Sequence, residues 1–180
     1  MKRVALVASL LVLAAASFAA ESADTIMAKA KQQAAKENKN ILVKFSASWC
    51  GWCHLMDDWM HDTEAGKLVA KQYVVVVLIV DEDDKHKADE NPGADDLRHR
   101  MGGDQVGIPF FGMLDKTGKV LATSNPNKEK PGNIGFPVED SEIEHFLKMV
   151  ADTSKLTKAQ IEQVRASLKE SAKKIKGGGL

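Results

Sequence analysis

An α/β fold is predicted by three features of the sequence. Apolar, β-branched runs at 41–46 and 73–80 alternate with stretches whose apolar residues recur at helical spacing. The run at 73–80 is apolar at every position, the pattern of a central strand covered on both faces. Two further runs, 110–114 and 119–122, flank the turn Asp115-Lys116-Thr117-Gly118 and predict a hairpin. The 180 residues suffice for one domain with a real core, and 44% hydrophobic with 28% charged residues is ordinary for a globular protein. The formal net charge is zero and no basic, aromatic-interleaved patch occurs, so nucleic acid is not an expected partner.

Residues 1–19 read as a secretory signal peptide. Lys2-Arg3 is followed by the apolar run 4–16 and by Ser17-Phe18-Ala19, a small-x-small cleavage pattern. The alternative, an uncleaved anchor, is disfavoured because the run is short for a span and ends in small residues. No cysteine follows, which argues against a lipid-anchored precursor. The expected location is exported, periplasmic if the source is bacterial and otherwise secreted, with no stable membrane insertion after cleavage.

The first helix is expected over 21–39, capped by Ser22 or Asp24 and ended by Asn38-Lys39-Asn40. Strand 41–46 leads into Trp49-Cys50-Gly51-Trp52-Cys53-His54 and a helix to about Asp62; a further helix runs from Thr63-Glu64 to about Gln72. After strand 73–80, the charged stretch 81–89 reads as a solvated insertion. Asp81, Glu82, Asp83 and Asp84 lack the glycine turn of a calcium loop. Asn91-Pro92 opens a short helix that ends near Met101-Gly102-Gly103. Past the hairpin, 124–137 is a loop with three of the five prolines. Ser141-x-x-Glu144 and Thr157-x-x-Gln160 are capping boxes for two more helices. Ile161, Val164, Leu168 and Ile175 form one apolar stripe on the last, expected to pack on the domain rather than on a partner. The divisions are therefore 1–19, a domain over 20–151 and a helical extension over 152–180.

Cys50 and Cys53 are the only cysteines. A Cys-x-x-Cys at a strand-to-helix junction is a redox motif with a mechanism. Unpaired N–H groups and a partial positive charge at the helix start favour thiolate at Cys50, the exposed first position. Cys53, one turn in, is placed to close a disulfide. Such a bond closes too small a loop to constrain the unfolded chain, so its use is exchange chemistry.

The order of strand, Trp-Cys-x-x-Cys, helix, apolar strand, Gly-Ile-Pro, hairpin and helix resembles the thioredoxin family. The segments 44–53, 91–93 with 107–109, and 110–120 carry the resemblance, which spans about 22–151. The Gly51-Trp52 pair and leading helix look most like exported thioredoxin-like and disulfide-interchange proteins. The resemblance implies a three-layer sandwich, a mixed central sheet with helices on both faces, here with an extra C-terminal helix. It implies a cis Ile108–Pro109 bond facing the cysteines, with Trp49, Gly51, Trp52, Ile108 and Pro109 contacting an extended client chain. It also implies thiol-disulfide oxidoreductase activity, Cys50 attacking and Cys53 resolving, on protein disulfide or dithiol clients served by a redox partner protein. The chain departs from the family at Lys44, where a buried acid is usual, and at Val77, where its partner lysine is usual. Direction and potential therefore do not carry over.

Lys44 and His54 are candidates for tuning the thiolate. Lys44 should point beneath the cysteine turn, as a cation, as a neutral amine, or reaching solvent to pair with an acid. Cys50-Gly51-Trp52-Cys53-His54 also matches the c-type haem attachment motif, but an apolar strand precedes it and an α/β pattern surrounds it. Zinc needs four ligands, and one cysteine pair with scattered His61, His86, His99 and His145 is a weak set. No cofactor or metal is expected, and a monomer is favoured. The remaining alternative is a redox-inactive binding or chaperone module of the same fold. Trp59 and Met56 read as core, and Trp49 and Trp52 as exposed flanks of the sulfurs.

Overall fold

The computed structural model describes residues 20–127 and 129–178; the expected export signal at 1–19 lies outside them. Four strands, β1 (Asn40–Ser46), β2 (Tyr73–Ile79), β3 (Phe110–Leu114) and β4 (Val120–Thr123), form one sheet in the order β2-β1-β3-β4. β1 and β2 are parallel, and β3 is antiparallel to both β1 and β4, so the sheet is mixed. The helices are α1 (Ala23–Glu37), α2 (Gly51–Asp62), α3 (Glu64–Ala70), α4 (Ala94–Arg100), α5 (Asp140–Thr153) and α6 (Lys158–Lys176).

Side-chain alternation along β1 divides the core. Ile41, Val43 and Phe45 face α1 and α4, where Ala30, Ala34 and Met101 pack on them. Leu42 faces the other layer, built from α2, α3, α5 and α6. Strand parity places Lys44 on that second face. The α2–α3 corner is tight: a Cβ on Gly66 would lie 1.9 Å from the Trp59 carbonyl oxygen, so only glycine fits. α6 closes the second layer with Val164 and Leu168 fully buried, each contributing about 1.5–3 kcal/mol by apolar burial. The Trp59 indole N–H donates to Ser167 Oγ at 3.0 Å, and its ring packs on Phe136 and Phe146.

Several expectations need correction. β2 is an edge strand, and the central strands are β1 and β3. Val75 and Val77 stay 39% and 41% exposed on the second face, because α3 covers only the start of that strand's surface. An apolar residue at every position satisfies the core-facing side of an edge strand as well as it satisfies a central one. The N-cap of α5 is Glu139 rather than Ser141. Glu142 Oε2 reaches back to the N–H groups of both Val138 and Glu139, at 2.9 Å each, which closes the box two residues earlier. α4 opens at Ala94 behind its N-cap Gly93, so Asn91-Pro92 precedes the helix instead of forming its first turn; Asn91 Oδ1 accepts the Ile79 N–H at 2.7 Å and fastens the end of β2. No described helix is long and apolar enough to cross a membrane.

Candidate active site

β1 runs out at Ser46, the chain turns through Ala47–Ser48–Trp49, and α2 starts at Gly51 with Cys50 as its N-cap. Cys50 Sγ accepts the Cys53 N–H at 3.1 Å, the place a serine oxygen takes in an ordinary cap. Cys50 and Cys53 are joined by a disulfide, with Cα atoms 5.2 Å apart. The first turn of α2 holds no acid, so nothing on the helix itself opposes the field of its N-terminus.

Cys50 is not the exposed position that the motif suggests. It is buried nearly as fully as Cys53, because Ala47 and Ile108 pack over the bridged sulfurs. Cys50 Sγ lies 3.6 Å from the Ile108 carbonyl oxygen; bridged, it has no proton to donate, so this is a contact and not a hydrogen bond. The Ile108–Pro109 peptide is cis, and Pro109 is buried behind the half-buried Ile108. Asn133 holds this loop from the far side. Its Nδ2 donates to the carbonyls of Gly107 at 2.6 Å and Pro109 at 3.0 Å, leaving the Ile108 carbonyl turned to the sulfur.

Trp49 and Trp52 are 59% and 48% exposed on either flank. The Trp49 indole N–H donates to the Asp81 carbonyl at 2.7 Å, which fixes the ring. Trp52 lines a groove of about 370 Å³ together with Ile108, Asn133, Ile134, Phe136 and Glu139. Gly51 stands in open space at the helix start, with no atom within 4 Å of where a Cβ would be. His54 Nε2 lies 2.9 Å from the Ser48 carbonyl, which only accepts, so this nitrogen carries the hydrogen.

Beneath the pair, Lys44 is 2% exposed and ion-paired with Asp57. Its Nζ also donates to the Cys53 carbonyl at 3.3 Å. Lys44 thus combines two of the expected placements: it pairs with an acid, and it does so from inside the protein. Asp57 stands four residues after Cys53, hence one helical turn away on the same face, and its carboxylate is 34% exposed. Val77 is the register partner of Lys44 and supplies no charge.

On the Cys50 side the charged stretch is not all solvated. Glu82 is 8% exposed, and its carboxylate accepts the Ser48 N–H at 2.6 Å and the Ser48 Oγ–H at 2.7 Å. Asp83 and His86 pair at the surface, where their hydrogen bond lowers the aspartate's pKa and raises the histidine's. Among the described residues no group of three or more His, Cys, Asp or Glu side chains is arranged to hold a metal.

The sequence does not single out Asp57 or Asn133, and it places Glu82 only in a charged run expected to be solvated. Asp57 was recoverable from its i+4 spacing to Cys53. Glu82 extends the inward alternation of Val74, Val76, Leu78 and Val80 one step past the strand. Asn133, 24 residues from the proline it braces, leaves no local signal.

Residues 23–116 match a family model described as thioredoxin-like. No curated protein matches the chain. Among solved structures, a disulphide isomerase from Xylella fastidiosa is 21% identical, with 89% of this chain and 98% of that one covered and a TM-score of 0.47. A DsbH oxidoreductase is 19% identical over 81% and 95% of the two chains, with a TM-score of 0.43. A thioredoxin-fold protein from Helicobacter pylori is 13% identical over 77% and 87%, with a TM-score of 0.39.

Proposed function

The chain belongs to the thioredoxin-like family, and on that premise we propose that it is a thiol-disulfide oxidoreductase acting on exported protein clients. The observation that carries the reading is the Cys50–Cys53 disulfide at the start of α2, packed against Ile108 of the proline loop. In the reducing direction, Cys50 thiolate attacks one sulfur of a client disulfide. The other client sulfur leaves as a thiolate and takes a proton from water. Cys53, deprotonated, then attacks Cys50 Sγ, and the second client sulfur leaves. Two electrons pass to the client, and the protein ends in the disulfide form described above. The oxidising direction is the same sequence reversed.

Trp49, Gly51, Trp52, Ile108 and Pro109 are the proposed client contacts. The indoles and the groove beside Trp52 suit apolar side chains next to the client's cysteine. Lys44 and, more weakly, His54 tune the pair. A cationic Lys44 below Cys53 stabilises the thiolate form and makes the protein more oxidising. The functional domain is proposed as 20–151 with 152–180 as a helical extension. The protein would act as a monomer in the periplasm or outside the cell, recharged by a redox partner protein.

The test is cycling. The pair should be reduced by dithiothreitol and should in turn reduce the disulfides of insulin, and equilibration with glutathione should give the direction. A potential well below the glutathione pool identifies a reductase, and one well above it an oxidase or isomerase. A pair that is reduced by dithiothreitol yet exchanges with no protein disulfide would overturn the reading in favour of a redox-inactive binding module.

A further inference from the structure

We propose that Glu82 is a positioning residue of the redox site: its carboxylate holds the turn that carries Cys50 and limits how much of that cysteine is thiolate. The proposal rests on the exchange reading, in which Cys50 is the attacking sulfur.

Three observations carry it. First, Glu82 is built in. It is buried and accepts two hydrogen bonds from one residue, Ser48, two positions before the nucleophile. Its own N–H donates to Glu90 Oε1 at 2.8 Å, so the carboxylate is aimed from a fastened backbone. Second, its two bonds are at 2.6 and 2.7 Å, lengths typical of an ionised acceptor. The Ser48 N–H and O–H each reach a different oxygen of the Glu82 side chain, so both of its oxygens are engaged by the turn. Third, among the described residues no lysine or arginine pairs with Glu82. The nearby cations are taken: Arg98 forks onto Asp81 and Asp95, and Lys87 pairs with Glu90.

The consequence follows from distance. Two residues of chain span at most about 7 Å, and the carboxylate is hydrogen-bonded to the first of them, so it lies on the order of 10 Å or less from the Cys50 backbone, a separation comparable with the Debye length. A fixed negative charge there disfavours thiolate and opposes the field of the α2 N-terminus. Less thiolate means a less stable reduced form, so the pair is more reducing than the helix alone would make it. Ser48 is the intermediary, since its N–H and O–H spread part of that charge.

The experiment uses the full chain reduced with dithiothreitol. It measures the rate at which iodoacetamide alkylates Cys50 at neutral pH, located by peptide mass, and the disulfide equilibrium against glutathione. Glu82→Gln keeps the shape and removes the charge. Alkylation should become several-fold faster, and the equilibrium should move toward the reduced form. Ser48→Ala keeps the charge and removes one donor, so alkylation should become slower. A brace without electrostatic effect would loosen the same turn in both variants and move both rates the same way. Rates that move together, or Glu82→Gln alkylating no faster than the parent, would overturn the proposal. Should Glu82→Gln fail to fold, Ser48→Ala decides alone: an unchanged or faster rate overturns it. Alkylation needs no client, so these outcomes stand apart from the insulin test. Wild-type protein that fails on insulin while showing the opposed rates sinks the exchange reading and leaves the charge effect in place.

Discussion

Cys50 and Cys53 share one disulfide and one helical turn, yet their surroundings differ: a buried acid hydrogen-bonded to the turn on one side, a Lys–Asp ion pair on the other. The Cys50 side has a buried carboxylate under the preceding turn, exposed indoles on both flanks, and a groove leading away. The Cys53 side has a buried ammonium, paired with a partly exposed acid on the same helix. The difference teaches that the two cysteines are not interchangeable even before a client arrives. One side is shaped for contact and the other for holding a charge in place.

The strongest way to break this comparison is to remove one sulfur at a time. Cys53→Ser should accumulate covalent mixed disulfides with protein clients, visible as reducible high-mass bands, and Cys50→Ser should accumulate none. Equal trapping by both variants would erase the distinction between the sides.

The next effect concerns stability. Asp57→Ala leaves the Lys44 ammonium buried without its counter-charge, which should cost about 3 kcal/mol. Lys44→Met leaves a carboxylate that reaches solvent, so it should cost about 1 kcal/mol or less. Urea midpoints of the two variants check the order, and a reversed order would mean that Lys44 is not the enclosed member of the pair. Lys44→Met should also move the potential to more negative values by tens of millivolts, where ~30 mV corresponds to ~1.4 kcal/mol. That shift is opposite in sign to the one expected for Glu82→Gln, so the two variants measured together sharpen the comparison.

A pH limit bounds these measurements. Burial pushes the Tyr73 phenol up to about 12, against the weaker pull of its Thr153 hydrogen bond. The folded state therefore keeps its proton where the unfolded chain has lost it. The stability tied to that proton is complete below about pH 10 and is lost as pH rises through about 12. The loss is on the order of 2–3 kcal/mol, and Tyr73→Phe should abolish it in thermal scans between those limits. Thiol titrations belong below that window.

The smallest effect is expected at the contact side. Trp52→Ala should raise the KM for an unfolded protein client several-fold, with alkylation of Cys50 unchanged. An unchanged KM would take the groove out of the client footprint.

Much of this was readable in the sequence, for definite reasons. The turn at 47–53 and the helix after it follow from local spacing, and the hairpin from four turn residues. Periodicity says which way a side chain points relative to its own element, as it did for Lys44. It does not say what lies opposite. Hence 73–80 read as central although β2 ends the sheet, and Cys50 read as exposed although Ile108, 58 residues on, covers it. Glu82 was lost in a run of acids whose other members do face water. Asn133 and the groove it helps build come from a loop that has no period at all.

α6 has one consequence for handling the protein. Near the carboxyl end of that helix, Lys176 Nζ pairs with Glu139 Oε2 at 2.9 Å, and Glu139 lies on the rim of the groove beside Trp52. An amine-reactive dye or a coupling resin that takes Lys176 would consume this ammonium and place bulk at the groove's mouth. Immobilised protein attached there would report weak client capture for a reason unrelated to its sulfur chemistry. Attachment through Lys29 or Lys36 on α1, across the sheet, keeps the probe away from the groove.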